Sequence, residues 1–117
     1  MIDDIVRRRN VGPFDFMKID VQGAEVLALK GARKTLQQVE VILTEASLMN
    51  YNAKGSSFLE LSTELDAAGF AMMDIYEISR RGSVLLQFDV VWARKTSKLW
   101  SKACTGYDRP QHFLPKM

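Results

Sequence analysis

Two short stretches concentrate the residues whose types and spacing suit chemistry. Lys18-Ile19-Asp20-Val21-Gln22-Gly23-Ala24-Glu25 sets acids around a strand-to-helix turn, and Glu45 falls near the end of a second apolar run, Val39 to Ala46. Asp20 sits at the carboxyl end of the first strand and Glu45 at the matching place on the second. Ligands of open α/β sheets bind just outside such ends. On adjacent parallel strands the two carboxylates would stand about 5 Å apart. Asp20 therefore reads as a ligand-holding or catalytic residue, with turn capping as the alternative. Gly23 lets the backbone approach a ligand or a facing helix. Glu25, in a first helical turn where a carboxylate is favoured, holds the turn or touches a substrate. Lys18 reads as a partner for Asp20 or as a solvated edge lysine that discourages sheet-to-sheet pairing. Asn50 and Tyr51, in the loop after the second strand, contact a substrate or form plain surface.

The elements that must position these residues follow from periodicity. Ile2, Ile5 and Val6 keep helical spacing, with Asp3 and Asp4 at one end and Arg7 to Arg9 at the other, matching the helix dipole. Gly12-Pro13 ends that helix. Phe14 to Val21 has strand length, and Ala24 to Gly31 reads as a helix continuing to Gln38 with a kink at Gly31. Val39 to Ala46 is rich in β-branched residues. Ser57-Phe58-Leu59-Glu60 has capping-box spacing, and Phe58, Leu61, Leu65 and Ala68 mark a buried stripe ending at Gly69. Phe70 to Ile78 and Ser83 to Ala93 are two further strands, joined through Ser79-Arg80-Arg81-Gly82 as an antiparallel hairpin. Met72 and Met73 read as strand packing. Helices between the first strands imply right-handed crossovers and a mostly parallel sheet.

The 117 residues suit one domain, and 47% apolar with 26% charged residues is the composition of a folded globule. No apolar run reaches the ~20 residues that span a bilayer, so no membrane partner is expected. The opening Met1-Ile2-Asp3-Asp4 lacks a basic leader. One cysteine, Cys104, and one histidine, His112, make neither an internal disulfide nor a His/Cys zinc site, so no metal is expected. These counts point to a reducing, cytoplasmic setting. Residues 1–93 carry a charge balance of −3 and residues 94–117 one of +5. The expected division is an α/β domain over 1–95 and a basic extension over 96–117. In that extension Lys95, Lys98, Trp100, Lys102, Tyr107 and Arg109 interleave bases with aromatics, but no nucleic-acid motif accompanies them. The glycines at 12, 23, 31, 55, 69, 82 and 106 make no dinucleotide fingerprint, and no glycine precedes a lysine as in a phosphate loop.

The run Phe16-Met-Lys-Ile-Asp-Val-Gln-Gly-Ala-Glu-Val-Leu-Ala-Leu-Lys-Gly-Ala32, followed by a strand ending in Glu45 and a helix closing on Ala-Gly-Phe70, resembles the FkbM-type S-adenosylmethionine-dependent methyltransferases. The resemblance covers roughly residues 2–94. It implies the C-terminal half of a Rossmann-like methyltransferase sheet: about four strands, mostly parallel, ending in an antiparallel hairpin, in spatial order first, second, fourth, third. Gln22 stands where the family usually has Glu, and the family's glycine-rich cofactor loop has no counterpart. The implied activity is methyl transfer from S-adenosylmethionine to a hydroxyl of a small molecule or glycan. Asp20 is then the first candidate to orient or deprotonate the acceptor, and Glu45 the second. Asp20, Gln22 and Gly23 fall on the cofactor side; Lys18, Glu25, Asn50 and Tyr51 fall on the substrate side.

Two other readings remain open. Phe14, Phe16, Met17 and Ile19 form an apolar strand with one unpaired side. A non-catalytic α/β module would cover that 14–21 edge by forming a homodimer. In a truncated remnant of a larger methyltransferase, a missing N-terminal half would normally cover it.

Overall fold

The computed structural model describes residues 1–21, 23–48 and 57–105. The first helix, α1 (Ile2–Arg9), places its acids in the first turn and its arginines in the last. Asn10 ends it in the left-handed region (φ 49°, ψ 51°), and Val11 N–H returns to the Val6 carbonyl. Strand β1 (Phe16–Ile19) is shorter than its apolar run. The helix expected from Ala24 onward is broken in two, α2 (Glu25–Lys30) and α3 (Arg33–Leu36), by the turn at Gly31-Ala32. Strand β2 (Val41–Ser47) then buries Ile42, Thr44 and Ala46 against the helices and leaves Val41, Leu43 and Glu45 half-buried on the opposite face.

Helix α4 (Phe58–Ala67) starts where the capping box predicts. Ser57 Oγ accepts the Glu60 N–H at 3.1 Å and donates to Glu60 Oε1 at 3.3 Å. Gly69 (φ +91°) reverses the chain into β3 (Phe70–Arg81), and a turn at Gly82-Ser83 leads into β4 (Val84–Arg94). A final helix, α5 (Lys98–Thr105), follows within the basic extension.

The sheet order is β1-β2-β4-β3. The expectation of a mostly parallel sheet is wrong. Only β1 and β2 pair in parallel, whereas β2 with β4 and β3 with β4 are antiparallel. Strands β1, β2 and β3 do run the same way. β4 inserts between β2 and β3, so all but one pair of neighbours have opposite directions.

The core lies on one face of this sheet. Ile42, Leu65, Phe70 and Val90 are almost fully enclosed there, with Leu29, Leu36 and Leu61 from the helices. Phe58 packs edge-on against Phe88 at 5.2 Å between centroids and tilts against Trp92 at 6.4 Å. Trp92 Nε1 donates to Thr44 Oγ1 at 2.9 Å, so the indole and the buried hydroxyl satisfy each other. Arg94 closes the far end. Its guanidinium lies over the Phe70 ring at 4.7 Å and donates to the Val39 and Leu36 carbonyls. Met72 and Met73 do not pack as expected. Each is 37% exposed, on a strand that is exposed from Met72 onward and whose register slips between Met72 and Asp74.

Candidate active site

The register carries the two sequence-selected acids to one place. Ile19 pairs with Thr44, so Asp20 follows β1 one step onward, beside Glu45. Glu45 in turn stands directly opposite Asp89 of β4, and Asp89 opposite Tyr76 of β3. The row Asp20, Glu45, Asp89, Tyr76 thus crosses all four strands. A cleft of about 160 Å³ opens there, lined by Lys18, Ile19, Asp20, Leu43, Thr44, Glu45 and Asp89.

Charge in this cleft is one-sided. Burial pushes the Glu45 carboxyl above its ordinary value of 4.5, and the negative charges of Asp20, Asp89 and Glu25 push it further, against a weaker opposing pull from Lys18. Asp20 itself is exposed. No ion pair joins Lys18 to Asp20, so the expected pairing along the strand does not form. Among the described residues, no group of three His, Cys, Asp or Glu side chains is placed to hold a metal ion.

Glu25 is spent locally. It is only 6% exposed, and its Oε1 accepts the Gly23 N–H at 3.2 Å. Gly23 adopts φ +93°, where a side chain would be strained. The tight turn and its buried carboxylate therefore fix the direction in which the chain leaves Asp20.

Set beside known families, the chain matches the family described as the methyltransferase FkbM domain over residues 1–72. The chain belongs to that family. Comparisons with curated proteins and with solved structures find no match. The FkbM match stops at Met72, inside β3, whereas the resemblance was expected to run to about residue 94. Lys18, Asp20, Gly23, Glu25 and Glu45 lie within the matched FkbM segment; Tyr76 and Asp89 lie beyond it.

Of the sequence-selected residues, Lys18, Asp20 and Glu45 line one cleft, with Gly23 and Glu25 on the adjoining turn. Gln22, Asn50 and Tyr51 lie outside the described residues, as do Tyr107, Arg109 and His112. Asp89 was missed. Its signal is the alternation Gln87, Asp89, Val91 against Phe88, Val90, Trp92, which puts a lone acid on the face opposite the core. A larger groove of about 720 Å³ lies between α1 and α3 and shares no lining residue with the Asp20–Glu45 cleft. No described helix is long and apolar enough to cross a membrane.

Proposed function

We propose that this chain carries the acceptor-activating part of an S-adenosylmethionine-dependent methyl transfer to a hydroxyl of a small molecule or glycan, and that it corresponds to the C-terminal half of the methyltransferase sheet. The observation that carries the reading is the meeting of Asp20 and Glu45 in one cleft of an FkbM-family chain. The residues fit the cofactor in charge, since a cationic sulfonium suits a cleft with three carboxylates. They fit it only in part by size, because drug-sized ligands fill pockets of about 300–1,000 Å³. The described cleft thus suits the reacting end of the cofactor and the acceptor hydroxyl. Asp20, Gln22 and Gly23 would hold the cofactor side, and Lys18, Asn50 and Tyr51 the acceptor.

S-adenosylmethionine, when bound, supplies an electrophilic methyl group on its sulfonium. The chain's own work is alignment of the acceptor and removal of its proton. Asp20, exposed at the strand tip, accepts a hydrogen bond from the acceptor hydroxyl and orients it. Glu45 is the second base, and its raised proton affinity makes it a stronger acceptor than an ordinary carboxylate. A cytoplasmic setting is part of the proposal and rests on the single cysteine.

A second reading, a non-catalytic module that self-associates, is favoured by the outer side of β1, where Phe16 is 55% exposed. Calorimetric titration with S-adenosylmethionine tests the first reading. Micromolar binding that weakens in Asp20→Asn supports it; absence of heat in the wild-type chain contradicts it.

A further inference from the structure

We propose that the acceptor is a saccharide, and that one face of the β3–β4 hairpin holds it through Tyr76, Ser79 and Gln87 while its reacting hydroxyl sits in the Asp20–Glu45–Asp89 cleft. The inference rests on the methyl-transfer reading, whose acceptor it names. It uses residues beyond the FkbM-matched segment, which ends at Met72.

The sheet face opposite the core changes character along its length. Toward one end it carries Val41 and Leu43 of β2 and Val91 of β4, half-buried apolar side chains suited to packing. Toward the other, every residue has a polar group. Facing residues of paired strands share a face, and the pairs here are Glu45 with Asp89, Asp89 with Tyr76, and Gln87 with Ser79. Apolar cover on this half would strand its polar groups, so it suits water or a polar ligand.

A bulge sets the composition of the strip. Between the Tyr76–Asp89 and Ser79–Gln87 pairs, β3 has two residues, Glu77 and Ile78, against Phe88 alone, and Glu77 takes φ 52°. Strict alternation from Tyr76 would put Ile78 opposite Gln87. The extra residue puts the Ser79 hydroxyl there instead. Bulges recur beside active sites, where they re-aim side chains.

The strip also supplies length that the cleft lacks. The cleft of about 160 Å³ admits little more than the reacting groups. β2 pairs with β4 only as far as Gln87, whereas the hairpin runs on through Arg80–Leu85 and Arg81–Val84. At about 3.4 Å per residue, Leu85 stands about 14 Å along β4 from Asp89. That run accommodates more than a single sugar ring.

Side-chain chemistry selects the class of acceptor. Tyr76, 38% exposed, offers an apolar ring with a hydroxyl at its end. Ser79 and Gln87 each donate and accept, and the Asp89 carboxylate accepts. Among the described residues, no hydrogen bond occupies the side chains of Tyr76, Ser79 or Gln87. Sugar hydroxyls likewise donate and accept, and the C–H face of a sugar ring lies flat on an aromatic ring. Three carboxylates repel an anionic acceptor, and a wholly apolar one would leave these groups unpaired.

Binding of the full chain to an array of mono- to tetrasaccharides, with S-adenosylhomocysteine absent and present, tests this. The array holds hexoses, deoxyhexoses, N-acetylhexosamines and uronic acids, and binding to at least one neutral member is expected. Tyr76→Ala and Gln87→Ala should each weaken it by about ten-fold or more, whereas Tyr76→Phe, which keeps the ring, should lose about three-fold or less. In the wild-type chain the bound saccharide should shift the amide resonances of Tyr76, Ser79 and Gln87, a reading that needs no substitution. No binding to any neutral member, binding unchanged in both alanine variants, or shifts confined to other parts of the chain would overturn the proposal. Saccharide binding by a chain that takes no S-adenosylmethionine sinks only the methyl-transfer reading and leaves the saccharide site standing. S-adenosylmethionine binding without saccharide binding does the reverse.

Discussion

Glu45 shows how one carboxylate is set apart from its neighbours. It stands opposite Asp89, next to Asp20, and near the buried Glu25. Its folded-state proton affinity is raised, so its charge opposes folding above that raised value. The penalty disappears as pH falls and the carboxyl is protonated in both states. Glu45→Gln should therefore stabilise the chain at pH 7 by about 0.5–1 kcal/mol, the scale of a like-charge pair across strands. The gain should shrink as pH falls from the raised folded-state value toward 4.5, the ordinary value of the group, and be absent below it. Chemical denaturation of both proteins across that range checks it; a gain that does not depend on pH would refute the electrostatic account. Under the proposed methyl transfer the same substitution should slow turnover, because an amide cannot accept the proton.

At the scale of elements, α1 and α3 are joined by a cap that sequence reading does not reveal. Ala32 precedes α3 and has no capping side chain. Asp3, from α1, takes that role by accepting the N–H groups of Lys34 at 3.0 Å and Thr35 at 2.9 Å and the Thr35 hydroxyl at 2.7 Å. Burial alone would raise its proton affinity; these hydrogen bonds and the nearby Lys34 charge outweigh it and lower the net value below 3.8. A depressed value stabilises the fold above 3.8, and the contribution is lost as pH falls through the folded-state value. Asp3→Ala should cost about 1 kcal/mol at pH 7, about 4 °C in melting temperature, with the gap closing in strong acid. Equal melting temperatures at pH 7 would mean that the cap carries no weight.

That contact explains why part of the fold was legible and part was not. Ser57 and Glu60 announce α4 from four adjacent residues, and Gly69 announces its end. Asp3 and Thr35 are 32 residues apart, and nothing local links them. Strand direction failed for a similar reason. The chain order gives three co-directional strands, but whether they touch depends on where β4 inserts. Asp20 and Glu45 were legible as a pair because β1 and β2 are true parallel neighbours. Asp89 joins them only through the antiparallel pairing of β2 with β4.

For the molecule as a whole, the acids gather at one end of the sheet, at the tips of β1 and β2 and opposite them on β4. Helices α2, α3 and α4 fill one face and hold β2 in place, while the hairpin of β3 and β4 brings Asp89 and Tyr76 to the same row. In the proposed function the tip, and not the larger groove between α1 and α3, receives the cofactor. Titrating the isotope-labelled chain with S-adenosylmethionine and following backbone amide resonances distinguishes the two places. Saturable shifts are expected at Asp20, Gly23, Glu45 and Asp89. Shifts confined to residues of the α1–α3 groove, such as Val6, Gly31 and Thr35, or no saturable shift at any residue, would rule out cofactor binding at the tip.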